Sequence, residues 1–328
     1  MMPGVQTGGL PAPRPLAPAG SAAVVVVSFN TRDLLEDCLA SVLAETPGTV
    51  VVIDNASSDG SGEMVRETFP HVDLVANTAN RGYGAGANQG IARCAEPTVI
   101  LLNGDTLLLP GAISALVEEL DRHPRAGIVG PRLLNEDGTV QASCFQFPRP
   151  LQMALRMTFL GALADRVPGL RRRYRYAWSP DASEAVPWVL GAALALRRDS
   201  FSAVGGFDTS YFMYSEEVDL AYRLAIAGWQ TRFTPLAEVV HVGGASAQQY
   251  VIEMGMRRSS GTRLFYRKHY SPAAMRLLRF LVRYRMLQNL TRDAVRMRLA
   301  REAEQRSRLA ERLAIWRGVL RRWSEDGP

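Results

Sequence analysis

Residues 99–106 read VILLNGDT, an apolar run of strand length that stops at an Asn-Gly-Asp sequence. A run this short and this apolar is typical of a strand that is covered on both faces, as in a parallel α/β sheet. Ligands of such sheets bind at the carboxyl ends of the strands. Asp105 is therefore predicted to hold a divalent cation, and Asn103 to add a polar contact. Asn-Gly and Gly-Asp are also common in turns, so a plain turn after the strand is the alternative.

The residues before this stretch alternate between buried strands and amphipathic helices. Residues 24–27 are four valines, residues 50–53 read VVVI, and residues 72–75 read VDLV. Apolar residues at helical spacing follow the first two runs, and Thr31 is predicted to be the N-cap of the first helix. This alternation predicts an α/β fold with a doubly wound, mostly parallel sheet.

A glycine-rich segment occupies residues 80–90 and reads NRGYGAGANQG. It contains a permitted form of the dinucleotide-binding fingerprint, which indicates a nucleotide-dependent oxidoreductase as one alternative. That fingerprint belongs in the first strand-to-helix turn of its unit, whereas two strand–helix pairs come before it here. We therefore expect the glycines to let a loop and a helix start pack closely beneath a ligand.

More strands and an acidic helix start follow. Strands or extended segments are predicted at residues 126–130, 188–196, 231–234 and 239–242. His241 lies at the end of the last one. Glu216, Glu217 and Asp219 lie within four residues at the start of a predicted helix. Acidic residues suit the dipole there, so a solvated helix start is the plain alternative to a catalytic role.

Taken in order, these motifs resemble those of family 2 glycosyltransferases with the GT-A fold. The likeness covers roughly residues 24–248 and is greatest for the bacterial rhamnosyltransferase-like branch that builds cell-surface polysaccharide. The motifs are SFN at 28–30, DNASSDGS at 54–61, NRG at 80–82, NGD at 103–105, GGFD at 205–208, FMYSEEVDL at 212–220, and His241.

The resemblance implies an inverting transfer of a sugar, with rhamnose suggested, from a nucleoside-diphosphate donor to a hydroxyl group. The implied acceptor is a cell-surface polysaccharide or a saccharide linked to a polyprenyl carrier. Asp105 and His241 would bind Mg²⁺ or Mn²⁺ together with the donor diphosphate. The implied donor-binding residues are Ser28, Asn30, Asp54, Asn80, Arg81 and Asn103.

The resemblance places the general base at Glu217. Family members usually carry Glu-Asp at this point, whereas this chain has Glu216-Glu217, so Glu216 and Asp219 remain alternatives for the base. Because of the same departure, a catalytically degenerate protein, which binds the donor without transferring its sugar, remains an alternative.

The C-terminal part of the chain is strongly basic. Residues 257–328 contain 19 Lys and Arg against six Asp and Glu, which gives +13, whereas the whole chain carries +6. From Pro272 the spacing predicts a helix with Leu277, Leu281 and Tyr284 on one face and arginines on another. Such a helix is typical of a segment that contacts an anionic membrane surface, and a helical appendage with solvated arginines is the alternative.

This charge division sets the expected domains, partners and location. We expect a disordered segment at 1–20, a GT-A domain at 21–250 and a basic helical extension at 251–328. The body carries −7 and has no base-reading motif, so nucleic acid is not expected as a partner. The expected location is the cytoplasm, peripheral on the inner face of the plasma membrane.

The cysteines indicate a reducing compartment, and the hydropathy pattern indicates neither a transmembrane helix nor a signal peptide. Cys38, Cys94 and Cys144 are far apart and form no CxxC pair, so neither a disulfide framework nor a zinc cluster is expected. The sequence contains no uninterrupted run of 18 apolar residues, so a transmembrane helix is not expected. The N-terminus lacks the basic region of a signal peptide.

Overall fold

The computed structural model describes residues 22–150, 152–153, 177–243, 251–300 and 302–325. The predicted disordered segment at 1–20 lies outside these residues. The helices are α1 (Arg32–Ala44), α2 (Ser61–Thr68), α3 (Tyr83–Ile91), α4 (Ala112–Arg122), α5 (Arg198–Ala203), α6 (Glu216–Ile226), α7 (Val251–His269), α8 (Pro272–Leu299) and α9 (Ala303–Glu325). The strands are β1 (Ala23–Ser28), β2 (Val50–Asp54), β3 (Asp73–Ala76), β4 (Thr98–Asn103), β5 (Thr106–Leu108), β6 (Ala126–Leu134), β7 (Val140–Gln141), β8 (Cys144–Phe145), β9 (Ala177–Trp178), β10 (Glu184–Val186), β11 (Trp188–Val189), β12 (Ala193–Arg197) and β13 (Gln230–His241).

The main sheet has the strand order β10-β13-β6-β12-β4-β1-β2-β3, with β5 and β7 attached to β13 and β6. Strands β4, β1, β2 and β3 are parallel to one another, which confirms the strand–helix alternation predicted for the N-terminal half. The register places Ser28 beside Asp54, and Val27 beside Asn103. The polar residues that follow these strands therefore meet at one edge of the sheet.

Beyond β4 the sheet is mixed, since β12 runs antiparallel to both β4 and β6. The single strand predicted at residues 188–196 is wrong in its extent, because the chain leaves one sheet and enters another within it. Trp188 and Val189 belong to a small sheet with β8, whereas Ala193 starts β12 of the main sheet. Gly191 lies in the break, where its carbonyl accepts a hydrogen bond from the Tyr83 hydroxyl at 2.7 Å.

The core lies between the parallel strands and their helices. Val24, Val26 and Ile100 are completely buried and pack with the apolar face of α1, which includes Leu35 and Leu39. Burying each such side chain stabilises the fold by roughly 1.5–3 kcal/mol relative to exposure. All three cysteines, Cys38, Cys94 and Cys144, are buried.

Thr31 occupies the N-cap position of α1, as predicted, but its hydroxyl does not cap the helix. The hydroxyl instead lies 2.9 Å from that of Ser28. A capping contact of the usual kind is therefore replaced by one that joins the end of β1 to the start of α1.

The chain forms two compact units. Of the described residues, the first unit contains 22–147, 177–212 and 216–243, and the second contains the C-terminal helices with 148–150, 152–153 and 213–215. The predicted domain boundary at residue 250 falls outside the described residues and stays a prediction. No described helix is long and apolar enough to cross a bilayer.

In the second unit, α8 starts as predicted at Pro272, with the Ser271 hydroxyl accepting the Ala274 N–H. The predicted apolar face divides in two, however. Leu281 is buried, because that side of α8 packs within the helical unit, whereas Leu277 and Tyr284 are exposed.

Candidate active site

The loop after β1 is bonded to the loop after β2. The Asn30 N–H donates to the Ser57 hydroxyl at 2.9 Å, and the Asn30 side chain accepts the Ser58 N–H at 2.8 Å. Asn30 has a positive φ of 53°, which asparagine tolerates better than most residues. Ser28 ends β1 and is buried. The two residues therefore have fixed positions at the carboxyl edge of the sheet.

Asp54 ends β2 beside Ser28 and is buried. Its Oδ1 accepts the Ser57 N–H at 3.1 Å, which is the turn contact that provides the plain alternative to base binding. Its Oδ2 lies 3.1 Å from the position that a Cβ atom on Gly62 would occupy. One oxygen thus supports the local turn, while the other faces the space that the glycine leaves.

Residues 80–82 form the turn into α3. The Asn80 side chain accepts the Gly82 N–H at 2.9 Å. Gly82 has a φ of 86°, and a Cβ atom there would lie 2.1 Å from the Phe212 carbonyl oxygen, which the Tyr83 N–H also contacts at 3.0 Å. Only glycine permits both this φ and this approach. Arg81 is exposed beside the turn.

Sequence reasoning missed an amide network beneath this turn. Asn55 is buried, donates to the Gly82 carbonyl at 3.2 Å and accepts from Asn77 at 3.0 Å. Asn77 and Gln89 exchange two further amide contacts. The sequence signal for this network is slight, since Asn55 and Asn77 are simply the first residues after β2 and β3.

Asp105 lies in the turn between β4 and β5 and is buried. Because β5 pairs with the end of β13, with His241 opposite Thr106, the topology brings the late histidine beside this turn. The distance from Asp105 Oδ1 to His241 Nε2 is 3.7 Å. Asn103 ends β4, where its N–H donates to the Ala192 carbonyl at 2.9 Å. The structure thus brings together the two residues predicted to bind a metal.

The donor atoms of Asp105 and His241 fit a divalent cation. His241 Nδ1 lies 2.9 Å from Gln141 Oε1, so a proton on Nδ1 leaves the lone pair of Nε2 facing the carboxylate. Burial lowers the pKa of His241 and outweighs the charge of Asp105, which favours the neutral imidazole. The 3.7 Å separation is near the roughly 3 Å between neighbouring ligands in an octahedral shell. No group of three or more His, Cys, Asp and Glu in the described residues could hold a metal.

The charges of three carboxylates act on Tyr83. Burial raises the pKa of Tyr83 well above its usual value, and the charges of Glu216, Glu217 and Asp105 raise it further. The Glu217 side chain lies over Gly191, at 3.5 Å from the position of a Cβ atom there. Side chains from α3, the β4–β5 turn and the start of α6 therefore share one small region of the first unit.

The two glutamates of α6 differ in environment. Glu216 is buried, and its pKa is raised well above its usual value by burial and then by the charge of Glu217. Its Oε2 has no hydrogen-bond partner within the described part of the chain. Tyr214 and Ser215, just before it, have φ values of 70° and 77°. Such strain in residues other than glycine is typical of functional sites.

Asp219 lies on α6 but is fully buried in a separate set of contacts. Its Oδ1 accepts from the Tyr211 hydroxyl at 3.2 Å and its Oδ2 from Arg223 at 2.6 Å. Arg223 in turn donates to the carbonyls of Val204 and Gly206. The position of Asp219 therefore favours a structural role, in which it fixes the loop before α6.

The chain matches two models of known protein families. The models "Glycosyl transferase family 2" and "Glycosyl transferase family group 2" match residues 23–172 and 98–251. An N-acetylglucosaminyl-diphospho-decaprenol L-rhamnosyltransferase of Mycobacterium tuberculosis is 37% identical over 231 residues, which are 66% of this chain and 75% of the relative. The chain belongs to glycosyltransferase family 2. The family resemblance predicted from the motifs is confirmed, and so is the prediction of a transferase.

Two solved glycosyltransferase structures share the fold of this family 2 glycosyltransferase. The mannosyltransferase PcManGT from Pyrobaculum calidifontis, in complex with GDP-Man and Mn²⁺, is 19% identical with a TM-score of 0.56, and the match covers 96% of this chain and 90% of that one. GalNAc-T7 with UDP, GalNAc and Mn²⁺ is 17% identical with a TM-score of 0.51, and the match covers 68% and 44%. The predicted GT-A fold class is confirmed.

Tyr83 is the residue of this glycosyltransferase that sequence reasoning missed most clearly. It lies inside the glycine-rich segment, which also suggested a dinucleotide site. In the structure that segment starts the third helix, α3, and its tyrosine hydroxyl donates to Gly191, 108 residues later in the chain. Family membership replaces the oxidoreductase alternative that the glycines had left open.

Proposed function

We propose that this glycosyltransferase moves L-rhamnose, with inversion, from a nucleoside-diphosphate donor to a hydroxyl of a saccharide linked to a polyprenyl diphosphate. The identity of 37% to a transferase named for this sugar and this acceptor class supports the choice of substrates. The observation that carries the proposal is that Asp105 lies 3.7 Å from His241, while Tyr83 bonds to Gly191 beside Glu217.

The donor would bind along the carboxyl edge of the sheet. Asp54 would accept a hydrogen bond from the base through Oδ2, since Oδ1 is engaged by Ser57. Ser28 and Asn30 would line the nucleoside pocket from the loop after β1. Asn80 and Arg81 would contribute from the turn before α3, where the exposed guanidinium of Arg81 is suited to a phosphate. Asn103 would add its amide at the end of β4.

Asp105 and His241 would hold a divalent cation. Mg²⁺ or Mn²⁺ supplies positive charge to the departing diphosphate when it is bound. The two residues suit this task because a buried carboxylate oxygen and a neutral imidazole nitrogen face each other across 3.7 Å. Gln141 would keep His241 in the required orientation.

The acceptor hydroxyl would give its proton to Glu217. As its oxygen forms the bond to the anomeric carbon, the bond from that carbon to the donor phosphate breaks, and the electron pair leaves with the diphosphate. A general base must be ionised, and Glu217 suits the task because the proton of the pair is favoured on the more buried Glu216. Asp219 is held by Arg223 and Tyr211, so it is the weakest candidate for the base.

A lipid-linked acceptor implies action at a membrane. We place the protein in the cytoplasm, peripheral on the inner face of the plasma membrane. The support is the charge of +13 on residues 257–328, which anionic lipids attract.

Thermal unfolding with a panel of nucleotide sugars tests the donor and metal proposals. Deoxythymidine or uridine diphosphate sugars are expected to stabilise the protein, and only in the presence of Mg²⁺ or Mn²⁺. A ligand at 100 times its dissociation constant adds about 2.7 kcal/mol to the free energy of unfolding. Asp105→Asn is expected to lose this response, whereas Asp121→Asn, an exposed change on α4, keeps it.

An equal response from Asp105→Asn and from the parent would show that the metal proposal is wrong. Transfer of labelled sugar to N-acetylglucosaminyl diphosphate polyprenol then tests the acceptor. Donor binding without transfer to this or any other acceptor would favour the degenerate alternative.

A further inference from the structure

One face of α8 exposes a row of large apolar side chains, which we call the apolar stripe. The stripe consists of Leu277, Phe280, Tyr284, Leu287, Val295 and Leu299, whose exposed fractions are 43, 65, 44, 54, 51 and 74%. Spacings of three, four and multiples of four residues place them along one side of the helix. At 1.5 Å per residue the stripe is about 33 Å long.

The stripe is separate from the surface that packs α8 into its unit. Leu278, Leu281, Val282 and Met286 are buried and form that other surface. Isolated exposed apolar residues are ordinary, but six of them along one helix face, with Thr291 between Leu287 and Val295, mark an interaction site. The stripe takes no part in the core of the second unit, so it is available to a partner.

The charges of α8 are almost all positive. The helix contains one carboxylate, Asp293, which is completely buried and accepts hydrogen bonds from Arg292, Arg312 and Trp316. The seven arginines are Arg276, Arg279, Arg283, Arg285, Arg292, Arg296 and Arg298. At 100° per residue, Arg276 and Arg283 lie on one side of the stripe, and Arg285 and Arg292 on the other.

A cavity of about 350 Å³ lies where the stripe ends. Its lining residues are Arg296, Leu299, Ala300, Gln305, Arg308, Leu309 and Arg312. Leu299 belongs to both the stripe and the cavity, and three arginines surround it. Arginine is well suited to a phosphate. Arg308 and Arg312 also pair with Glu304 and Asp293, which leaves Arg296 as the cavity arginine outside these pairs.

We propose that the apolar stripe is the surface through which the protein lies on an anionic lipid bilayer, with lipid phosphates bound by the flanking arginines and at the cavity. The inference rests on the proposed function, since it names the surface by which that enzyme would reach a lipid-linked acceptor. An interfacial helix buries its apolar face at the boundary of headgroups and acyl chains, while basic residues on both sides reach the phosphates. A second copy of the chain fits less well, because two stripes flanked by arginines would bring like charges together.

The test is vesicle co-sedimentation of the full chain. Phe280→Glu/Leu287→Glu places two carboxylates in the stripe. The matched control, Ile226→Glu/Leu236→Glu, makes the same change of charge at exposed apolar positions of the first unit. The probes are vesicles of phosphatidylcholine alone and vesicles with equal parts of phosphatidylcholine and phosphatidylglycerol.

The parent and the control are expected to bind the anionic vesicles and to bind pure phosphatidylcholine weakly. The stripe variant is expected to lose about tenfold or more of its affinity for the anionic vesicles, since it loses both apolar burial and charge attraction. Circular dichroism and thermal unfolding check that both variants are folded. Equal binding by the stripe variant and the control overturns the proposal.

Two further outcomes have separate meanings. If sedimentation without vesicles shows that the parent is a dimer and the stripe variant a monomer, the stripe covers a second copy and the proposal fails. The donor-induced thermal shift is measured on the same samples. If the parent binds vesicles but shows no donor-induced thermal shift, the proposed function is wrong and the bilayer contact of the stripe stands. If it shows the shift but does not bind vesicles, the bilayer contact is wrong and the proposed function stands.

Discussion

Glu216 and Glu217 are neighbours in the chain, but their surroundings favour different protonation states. Burial raises the pKa of Glu216 well above its usual value, and the negative charge of Glu217 adds to the effect. Burial and this repulsion together keep the proton on Glu216 above the pH at which an ordinary glutamate releases it. Glu217 is the more exposed of the two, so it is the better candidate for the ionised base.

Glu217→Gln tests this assignment. The variant is expected to lose a factor of about 10²–10⁴ in kcat, because the amide cannot accept the acceptor proton. Donor binding needs no base, so the thermal shift caused by a nucleotide sugar and Mn²⁺ is expected to persist. Glu118→Gln, a surface change on α4, serves as the control. Wild-type turnover in Glu217→Gln would move the base to another residue.

Glu216→Gln tests the raised pKa through stability. In the folded state Glu216 keeps its proton above the pH at which the unfolded chain releases it. The folded state therefore binds more protons in that window, and stability falls as the pH rises above the usual glutamate pKa. The variant removes this dependence, so it is expected to be at least as stable as the parent at pH 8, with the difference shrinking toward pH 4.

Thermal unfolding across that pH range measures the effect. A Glu216→Gln variant that is less stable than the parent at pH 8, and regains stability in acid, would mean that the folded state prefers ionised Glu216. That result would also reverse the roles of the two glutamates.

At the scale of elements, the strands that could be predicted from sequence are those whose burial shows in consecutive residues. β1, β2 and β4 are uninterrupted apolar runs, so their ends, and with them Asp54 and Asp105, were placed correctly. The break at Gly191 could not be predicted, because it depends on a tertiary contact with Tyr83. The two faces of α8 could not be separated either, since Leu277 and Leu281 look alike until the neighbouring helices are known.

The predicted site residues divide in the same way. Position along a strand was enough to place Ser28 and Asp54 side by side, because parallel strands end at one edge. The approach of His241 to Asp105 depends on β5, a strand of three residues that no periodicity reveals. The burial of Asp219 depends on Arg223, whose other partners lie in the preceding loop.

Asp293 makes hydrogen bonds that join α8 to α9. It is fully buried and bonded to Arg292 of its own helix and to Arg312 and Trp316 of the next. Burial acts to raise its pKa, but the hydrogen bonds from Trp316 and Arg292 and the charges of both arginines outweigh it and lower the pKa. This contribution to stability is present above the usual aspartate pKa and is lost as the pH falls through the lowered value.

Asp293→Asn is expected to destabilise the protein by about 2 kcal/mol at neutral pH, because a buried charge pair is broken. The value is below that for a fully buried pair, since the side chains of both arginines are 43% exposed. Urea unfolding at pH 7 and at pH 3 measures it, and the difference from the parent should be smaller in acid. A loss that is equal at both values of pH would indicate a packing defect instead of a lost charge.

At the scale of the whole molecule, the charge is divided along the chain. Residues 257–328 carry +13, and the rest carries −7. If the net charge of +6 were spread evenly over the chain, an anionic surface would attract the protein weakly and in no particular orientation. The observed division confines the attraction to the C-terminal helices. The cation proposed to hold the donor diphosphate rests on Asp105, which is buried and is therefore shielded from salt in a way that exposed arginines are not.

Ionic strength should therefore separate the two binding events. The Debye length falls from about 30 Å at 0.01 M salt to about 3 Å at 1 M, so attraction between the arginines and an anionic bilayer is expected to weaken steeply over that range. Sedimentation with vesicles containing phosphatidylglycerol should show this loss. The thermal shift caused by a nucleotide sugar and Mn²⁺, measured in the same salt series, should change less, because burial keeps salt away from the donor site. Vesicle binding that is constant across the series would mean that apolar contact alone holds the protein on the bilayer, and the arginines would then have no part in it.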